Sequence, residues 1–373
     1  MTPEQGAKHL REILQLESAK NVVLITGKRS FELSGASAAL LPLLKKFTRL
    51  THFDDVPKNP DTTAVDAAAK ACGSAVPDLI LAVGGGSAMD LAKGLSVRLA
   101  TGRPTHECLD PSTWQDAKLT PVVAIPTTTG TGSEATQFAV IYHQNKKHSF
   151  SSPKLLPKHV LLIPAFTLAQ PLSVRASSGF DALSQAVESY WSGHGTAESD
   201  NAALEAIRLV TPRLTSGLQR FDDEVAADMQ RASHLAGVAI NQTRTTAPHA
   251  LSYALTTDYG VDHGHAVGLM LPKIWRLHLS LKVNASLPPA LQERMAVISE
   301  LIGEPIDHCP SRFESMLATN QLPYKFQDLG LSSRSHWTEL CERVNLDRLR
   351  NHPVELSSEA IQGLWEHEIT DPR

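Results

Sequence analysis

Short apolar runs alternate with helix-period segments through the first half of the chain. NVVLITG, RLTHFDD, DLILAVGG and PVVAIP read as strands, and SGASAALLPLLKKF and TTAVDAAAKACGS read as the helices between them. QFAVIYH and HSFSS read as a paired segment that completes the set, and the N-terminal MTPEQGAKHLREILQLESAK has the pattern of a charged amphipathic helix. This alternation predicts a mainly parallel sheet with helices on both faces, which binds ligands beyond the C-terminal ends of its strands. The texture changes near Phe166, where IPAFTLAQP interrupts the pattern. Beyond it, FDALSQAVESY, AESDNAALEAIRLVTPRL and DEVAADMQRASHLAGVAINQ are helical and strands disappear; the tail after Pro305 is polar and helical in pattern. The expected organisation is an α/β domain over residues 1–166 and an all-α domain over 167–373.

At 373 residues the chain is long enough for two domains, each burying its own core. A net charge of −4 gives no electrostatic case for nucleic acid or an anionic membrane. Cys72, Cys108, Cys309 and Cys341 are far apart and form no C-x-x-C pair, which fits thiols in a reducing compartment. The N-terminal segment lacks the apolar core of a signal peptide, and no run approaches a transmembrane helix. A cytoplasmic location is expected.

Three segments carry candidate chemistry. LILAVGGGSAMDLAKG places Gly84, Gly85, Gly86 and Ser87 between a strand and a helix. Glycines there let a pyrophosphate approach the backbone and the helix N-terminus, though a tight turn with no ligand has the same composition. AIPTTTGTGSEAT packs six hydroxyl side chains and two glycines into thirteen residues, suiting a phosphate or ribose, or else a solvated loop. Asp181, His249 and His263 are mixed oxygen and nitrogen donors of the kind a divalent metal takes, with Gln185 one helical turn after Asp181.

In this order, GGGSAMDLAK, PTTTGTGSEAT, GFDALSQAVESY and HALSYALTTDYGVDHGHAVGLMLP resemble the iron-containing (group III) alcohol dehydrogenase family over essentially the whole chain. The resemblance implies a dehydroquinate synthase-like architecture, with a dinucleotide-binding α/β domain and a helical metal-binding domain. Asp181, His249 and His263 fall on metal-ligand positions. Gly85, Gly86, Ser87 and Asp90 fall on the pyrophosphate and nicotinamide loop, and Thr127, Thr128, Thr131 and Ser133 on a second cofactor stretch. Lys147 matches a cofactor-contacting lysine, and Gly27, Lys28, Ser30 and Asn59 complete the expected cofactor set.

Two departures bear on the site. Gln185 stands where the family usually has a histidine, so it binds through its carboxamide oxygen or leaves that position to water. Tyr253 stands where a further histidine is frequent. The family's metal is Fe2+, with Zn2+, Ni2+ or Mn2+ as alternatives. Gly27 replaces a frequent aspartate, and with Lys28 and Arg29 beside it the end of the first strand supplies no acid and two cations. That composition accommodates NADP; NAD remains open, since both cations can point to solvent.

DALSQAVESYW, TRTTAPHALSY and HGHAV most resemble the phosphonoacetaldehyde reductase subgroup. Arg244 with Thr245 and Thr246 offers a guanidinium and hydroxyls to an anionic substrate tail, or Arg244 is an ordinary ion-pair residue. The expected activity is metal-dependent, NAD(P)H-linked hydride transfer between nicotinamide and a small aldehyde, with Tyr253 and His265 as candidate proton donors or as packing residues. Two alternatives are a dehydroquinate synthase-like lyase and a metal-free reductase similar to maleylacetate reductase. A homodimer or larger homo-oligomer is the family analogy.

Overall fold

The computed structural model describes residues 1–144, 146–284, 286–331, 333–342, 344 and 349–364; the end of the polar tail, 365–373, lies outside the described residues. The chain divides into two compact units, one of Met1–Gln170 with Asp222–Gln230 and one of Pro171–Phe221 with Arg231–Arg373. The expected boundary at 166/167 falls four residues before this division, which returns to the first unit for the start of one helix.

In the first unit, β1 (Asn21–Thr26), β2 (Arg49–Phe53), β3 (Leu79–Gly84), β4 (Val122–Pro126) and β7 (His159–Val160) form a parallel sheet in the order β2-β1-β3-β4-β7. Every residue of β3 and β4 is buried, as expected of central parallel strands covered on both faces. Successive β1 residues serve opposite faces: Val23 and Ile25 join a core with Leu91 and Leu95, whereas Val22 and Leu24 join another with Leu10 and Leu40. The covering helices are α1 (Pro3–Leu16), α3 (Ala36–Phe47), α4 (Thr62–Cys72) and α5 (Gly86–Thr101), with a four-residue α2 (Ser30–Leu33). Thr2 and Gln5 close a capping box on α1, and Asp61 caps Ala64 N at 2.7 Å. The expected paired segment is an antiparallel hairpin of β5 (Phe138–His143) and β6 (Lys146–Ser151). The two-residue β7 is too short to give a periodic signal.

The sheet order matters for ligands. From β1 the chain moves to one side for β2 and to the other for β3, so the switch point lies between β1 and β3. Gly27 follows β1 and Gly84 ends β3, close enough that a Cβ on Gly84 would sit 4.0 Å from Gly27 N.

The second unit is helical, as the periodicity indicates. It holds α6 (Leu172–Trp191), α7 (Ala197–Ser216), most of α8 (Asp223–Thr243), α9 (Ala247–Asp258), α10 (His263–Val283), α11 (Pro289–Ile302), α12 (Cys309–Thr319) and α13 (Arg334–Glu342). The contact between α6 and α10 depends on two glycines one turn apart. A Cβ on Gly264 would lie 2.0 Å from the Ser177 carbonyl oxygen and 2.8 Å from Asp181 Cβ, and one on Gly268 would lie 2.9 Å from the Phe180 ring. No helix among the described residues is long and apolar enough to cross a membrane.

Candidate active site

The face of α6 bearing Asp181, Gln185 and Glu188 carries three buried polar side chains at i, i+4 and i+7. His249 lies in the first turn of α9, and His263 is the first residue of α10, placed beside Asp181 by the close approach at Gly264. One ligand atom from each of Asp181, His249 and His263 lies within 4.8 Å of the others. His249 Nε2 is 3.3 Å from Asp181 Oδ1, and the two imidazole rings meet edge to face with centroids 5.3 Å apart. A carboxylate oxygen and two imidazole nitrogens converging in a cluster with Asp181 and His249 buried and His263 half-buried fit a divalent transition metal.

The electrostatics agree with this. Burial pushes the Asp181 carboxyl up, but the hydrogen bond to His249 and the charges of both imidazoles outweigh it and hold the group below the usual carboxylate range. Burial works against charge on His249 too, yet Glu188 and Asp181 raise it to about 10. Two buried carboxylates flanking one imidazole thus form a pocket that favours positive charge, which a proton or a metal ion supplies.

Glu188 was not among the residues singled out from sequence. It is fully buried and bonds His249 Nδ1 through Oε2, while Oε1 accepts from Thr246 N at 2.9 Å, Thr246 Oγ1 at 3.0 Å and His249 N at 3.2 Å. Its sequence signal is its place seven residues after Asp181 on the same face.

Several expectations are modified by the geometry. Gln185 turns its amide nitrogen to Asp181 Oδ1 at 3.0 Å, so the carboxamide holds the carboxylate in place and does not present its oxygen there. Arg244 is exposed and follows α8 in the left-handed conformation at φ 63°. The Thr246 hydroxyl accepts from Trp191 Nε1 at 2.9 Å and donates to Glu188, leaving no proton for a substrate anion. The Thr245 carbonyl accepts from Asn351 Nδ2 at 2.9 Å. His265 Nε2 donates to the Pro323 carbonyl at 2.6 Å and its backbone N–H to Ser177 Oγ, a packing arrangement in which burial lowers its basicity. Tyr253 stacks its ring parallel to His263, with centroids 6.0 Å apart, and is the candidate proton donor set beside the cluster.

In the first unit, the glycine and hydroxyl loops face each other. A Cβ on Gly85 would be 3.1 Å from Thr128, and one on Gly86 would be 2.9 Å from Thr131. Thr127 N donates to the Gly84 carbonyl at 2.9 Å. α5 starts at Gly86 with its first N–H groups at this turn, the geometry that receives a pyrophosphate. Ser87 Oγ donates to the carbonyl of Lys58, the neighbour of Asn59.

Asp90 accepts from Ser133 Oγ at 2.9 Å, which turns both residues toward each other beneath the loop. Burial raises the Asp90 carboxyl despite the nearby charges of Lys93 and Lys147 and the Ser133 hydrogen bond. Lys93, also missed in the sequence, is fully buried: its ammonium donates to the carbonyls of Ser133 at 2.7 Å, Thr136 at 2.8 Å and Phe138 at 2.7 Å. Desolvation pulls its pKa down to about 8. At the end of β1, Lys28, Arg29 and Ser30 are exposed, and Gly27 bridges to Asp55, so an acidic residue absent from 27–30 returns on the neighbouring segment.

Comparison with known proteins places this geometry. The description iron-containing alcohol dehydrogenase fits residues 3–164, and that of the Fe-containing alcohol dehydrogenase family C-terminal region fits residues 175–368. A 1,3-propanediol dehydrogenase of Citrobacter freundii is 30% identical over 86% of this chain and 81% of its own length. A phosphonoacetaldehyde reductase of Streptomyces viridochromogenes is 29% identical over 83% of this chain and 80% of its own. The crystal structure of a sulfoacetaldehyde reductase from Bifidobacterium kashiwanohense in complex with NAD+ superposes with a TM-score of 0.87 at 27% identity, covering 98% of this chain and 95% of that one. The chain belongs to the iron-containing alcohol dehydrogenase family, a family of oxidoreductases.

Proposed function

We propose that this chain is a metal-dependent, NAD(P)H-linked reductase of short aldehydes, with the reverse alcohol oxidation available to the same site. The convergence of one ligand atom each from Asp181, His249 and His263 is the observation that supports this reading most directly. When bound, a nicotinamide dinucleotide supplies hydride and a divalent cation supplies Lewis acidity toward the carbonyl oxygen. Asp181, His249 and His263 would hold the cation. Gln185 orients the Asp181 carboxylate, and Tyr253 lies where a proton can be delivered beside His263. The Gly85–Gly86 turn and the start of α5 would receive the pyrophosphate, with Thr128 and Thr131 facing it. Lys93 and Asp90 hold the hydroxyl loop in register beneath.

The relatives named for phosphonoacetaldehyde and sulfoacetaldehyde support an anionic aldehyde, and the exposed guanidinium of Arg244 is accessible to such a tail. NAD is the favoured cofactor, supported by the NAD+ complex of that structural relative and by the acidic residue bridged to Gly27. The lyase alternative is not favoured by the family assignment. The three converging donors weigh against a metal-free reductase. A homo-oligomer and a cytoplasmic location complete the proposal, the first checked by sedimentation of the purified chain.

The test is consumption of NADH and NADPH with a panel of aldehydes, including phosphonoacetaldehyde, sulfoacetaldehyde and neutral aldehydes of similar size, and oxidation of 1,3-propanediol. Turnover on at least one member supports the reductase. No turnover on any of them, with cofactor and metal bound, removes it.

A further inference from the structure

The metal-ligand candidate His249 has its two ring nitrogens claimed by different carboxylates: Nε2 faces Asp181, and Nδ1 faces Glu188. We propose that Glu188 is a positioning residue of the metal site, fixing both the ring orientation and the tautomer of His249 so that Nε2 keeps its lone pair for the ion. This inference rests on the metal-site reading above.

Proton directions around Glu188 follow from which groups can only donate. Trp191 Nε1 is a donor only, so Thr246 Oγ1 must accept from it and send its own proton to Glu188 Oε1. The backbone N–H groups of Thr246 and His249 point to the same oxygen. With three donors on Oε1, that oxygen is filled as an acceptor, and the carboxyl is fixed at the N-terminal end of α9, leaving Oε2 turned to the imidazole. Oε2 is thereby placed to accept the Nδ1 proton of His249 when Nε2 serves as a metal ligand. A metal ion that displaces the Nε2 proton then finds the remaining proton already held on Nδ1, the tautomer that turns the Nε2 lone pair to the ion.

A carboxylate serving only to cap α9 would need just the two backbone N–H groups. The bond to the imidazole, and the Trp191–Thr246 relay that immobilises the carboxylate from the other end, go beyond that duty. Outer carboxylates of this kind set ring orientation and ligand basicity in metal sites generally.

Glu188→Gln keeps the shape but not the pattern: whichever way the amide turns, either its NH2 meets the His249 N–H or its NH2 meets the three donors on the other side. The measurement is competition of the Zn2+-loaded and Co2+-loaded protein against a chelator, with the Co2+ visible spectrum, the melting temperature and the NADH dissociation constant read in parallel. The expected result is metal affinity about 10- to 100-fold weaker, an altered Co2+ spectrum, lower kcat and an unchanged NADH constant. Thr246→Val, which removes one hydroxyl donor and leaves every backbone N–H, should weaken metal binding by a smaller factor and decides the matter if Glu188→Gln does not accumulate. Metal affinity within threefold of wild type in Glu188→Gln, or in Thr246→Val if only that variant folds, overturns the proposal, even where the melting temperature falls. A wild-type chain that takes up no metal overturns the metal-site reading itself, an outcome distinct from a failure of Glu188 alone.

Discussion

Gly264→Ala is the smallest change that should dismantle the metal site without touching a ligand. The added Cβ would lie 2.0 Å from the Ser177 carbonyl oxygen and 2.8 Å from Asp181 Cβ. Non-bonded heavy atoms settle at about 3.5–4.0 Å, so the start of α10 must retreat from α6 by more than about 1 Å. Ser177 O is backbone inside α6, so it cannot turn aside as a side chain would. His263 immediately precedes Gly264 and travels with it, whereas metal–ligand distances tolerate only about 0.2 Å. Overpacking of this kind costs about 1–3 kcal/mol of stability. Metal affinity should fall by at least about 100-fold, the upper end of what loss of an outer-shell partner costs, because His263, a ligand in the proposed site, is displaced. The assay is chelator competition against Zn2+-loaded protein, with Gly193→Ala as the control, since nothing lies within 4 Å of a Cβ there. A Gly264→Ala protein that binds Zn2+ within threefold of wild type would refute the claim that this helix contact sets the site.

Other substitutions probe the remaining parts. Gln185→His adds an imidazole beside Asp181 and should tighten Zn2+ binding about tenfold or more; unchanged affinity in the same competition assay would confine position 185 to steering Asp181. Gly86→Val puts a Cβ 2.9 Å from Thr131 and should raise the NADH dissociation constant sharply while sparing metal binding; an ordinary constant by fluorescence titration would mean the loop is only a turn. Lys93→Met leaves the oxygens of Ser133, Thr136 and Phe138 without their buried donor, at a cost of about 3–5 kcal/mol in urea unfolding; a loss below about 1 kcal/mol contradicts the cation's structural role. Arg244→Ala should lower kcat/KM for phosphonoacetaldehyde while sparing a neutral aldehyde of like size, and equal effects on both would take Arg244 out of substrate recognition.

The parallel sheet and the helical second half were legible because burial on both faces writes continuous apolar runs such as LILAVG, and helix packing writes long periodic ones. The three metal-ligand candidates were legible from residue type and motif. What surrounds them was not. Glu188 looks like one more helical glutamate until folding sets it against His249, 61 positions later. Lys93 looks like a solvated lysine, because its oxygen partners Ser133, Thr136 and Phe138 lie 40 or more residues away in the chain. The turn of the Gln185 amide is decided by the Asp181 carboxylate and has no sequence signature. Arg244 is a related case: its nearness in sequence to Thr246 and His249 says nothing about its exposure, which only the folded chain shows.

The central claim is that Asp181, His249 and His263 hold one divalent ion on which aldehyde reduction depends. The most direct measurement strips the purified protein with chelator, adds back Fe2+ anaerobically or Zn2+, and follows bound metal and NADH oxidation together, in wild type and in Asp181→Ala and His263→Ala. The expected result is one ion per chain, activity that returns in proportion to the ion bound, and neither in the two variants. Full activity in metal-free wild type, or stoichiometric metal binding in either variant, would contradict it.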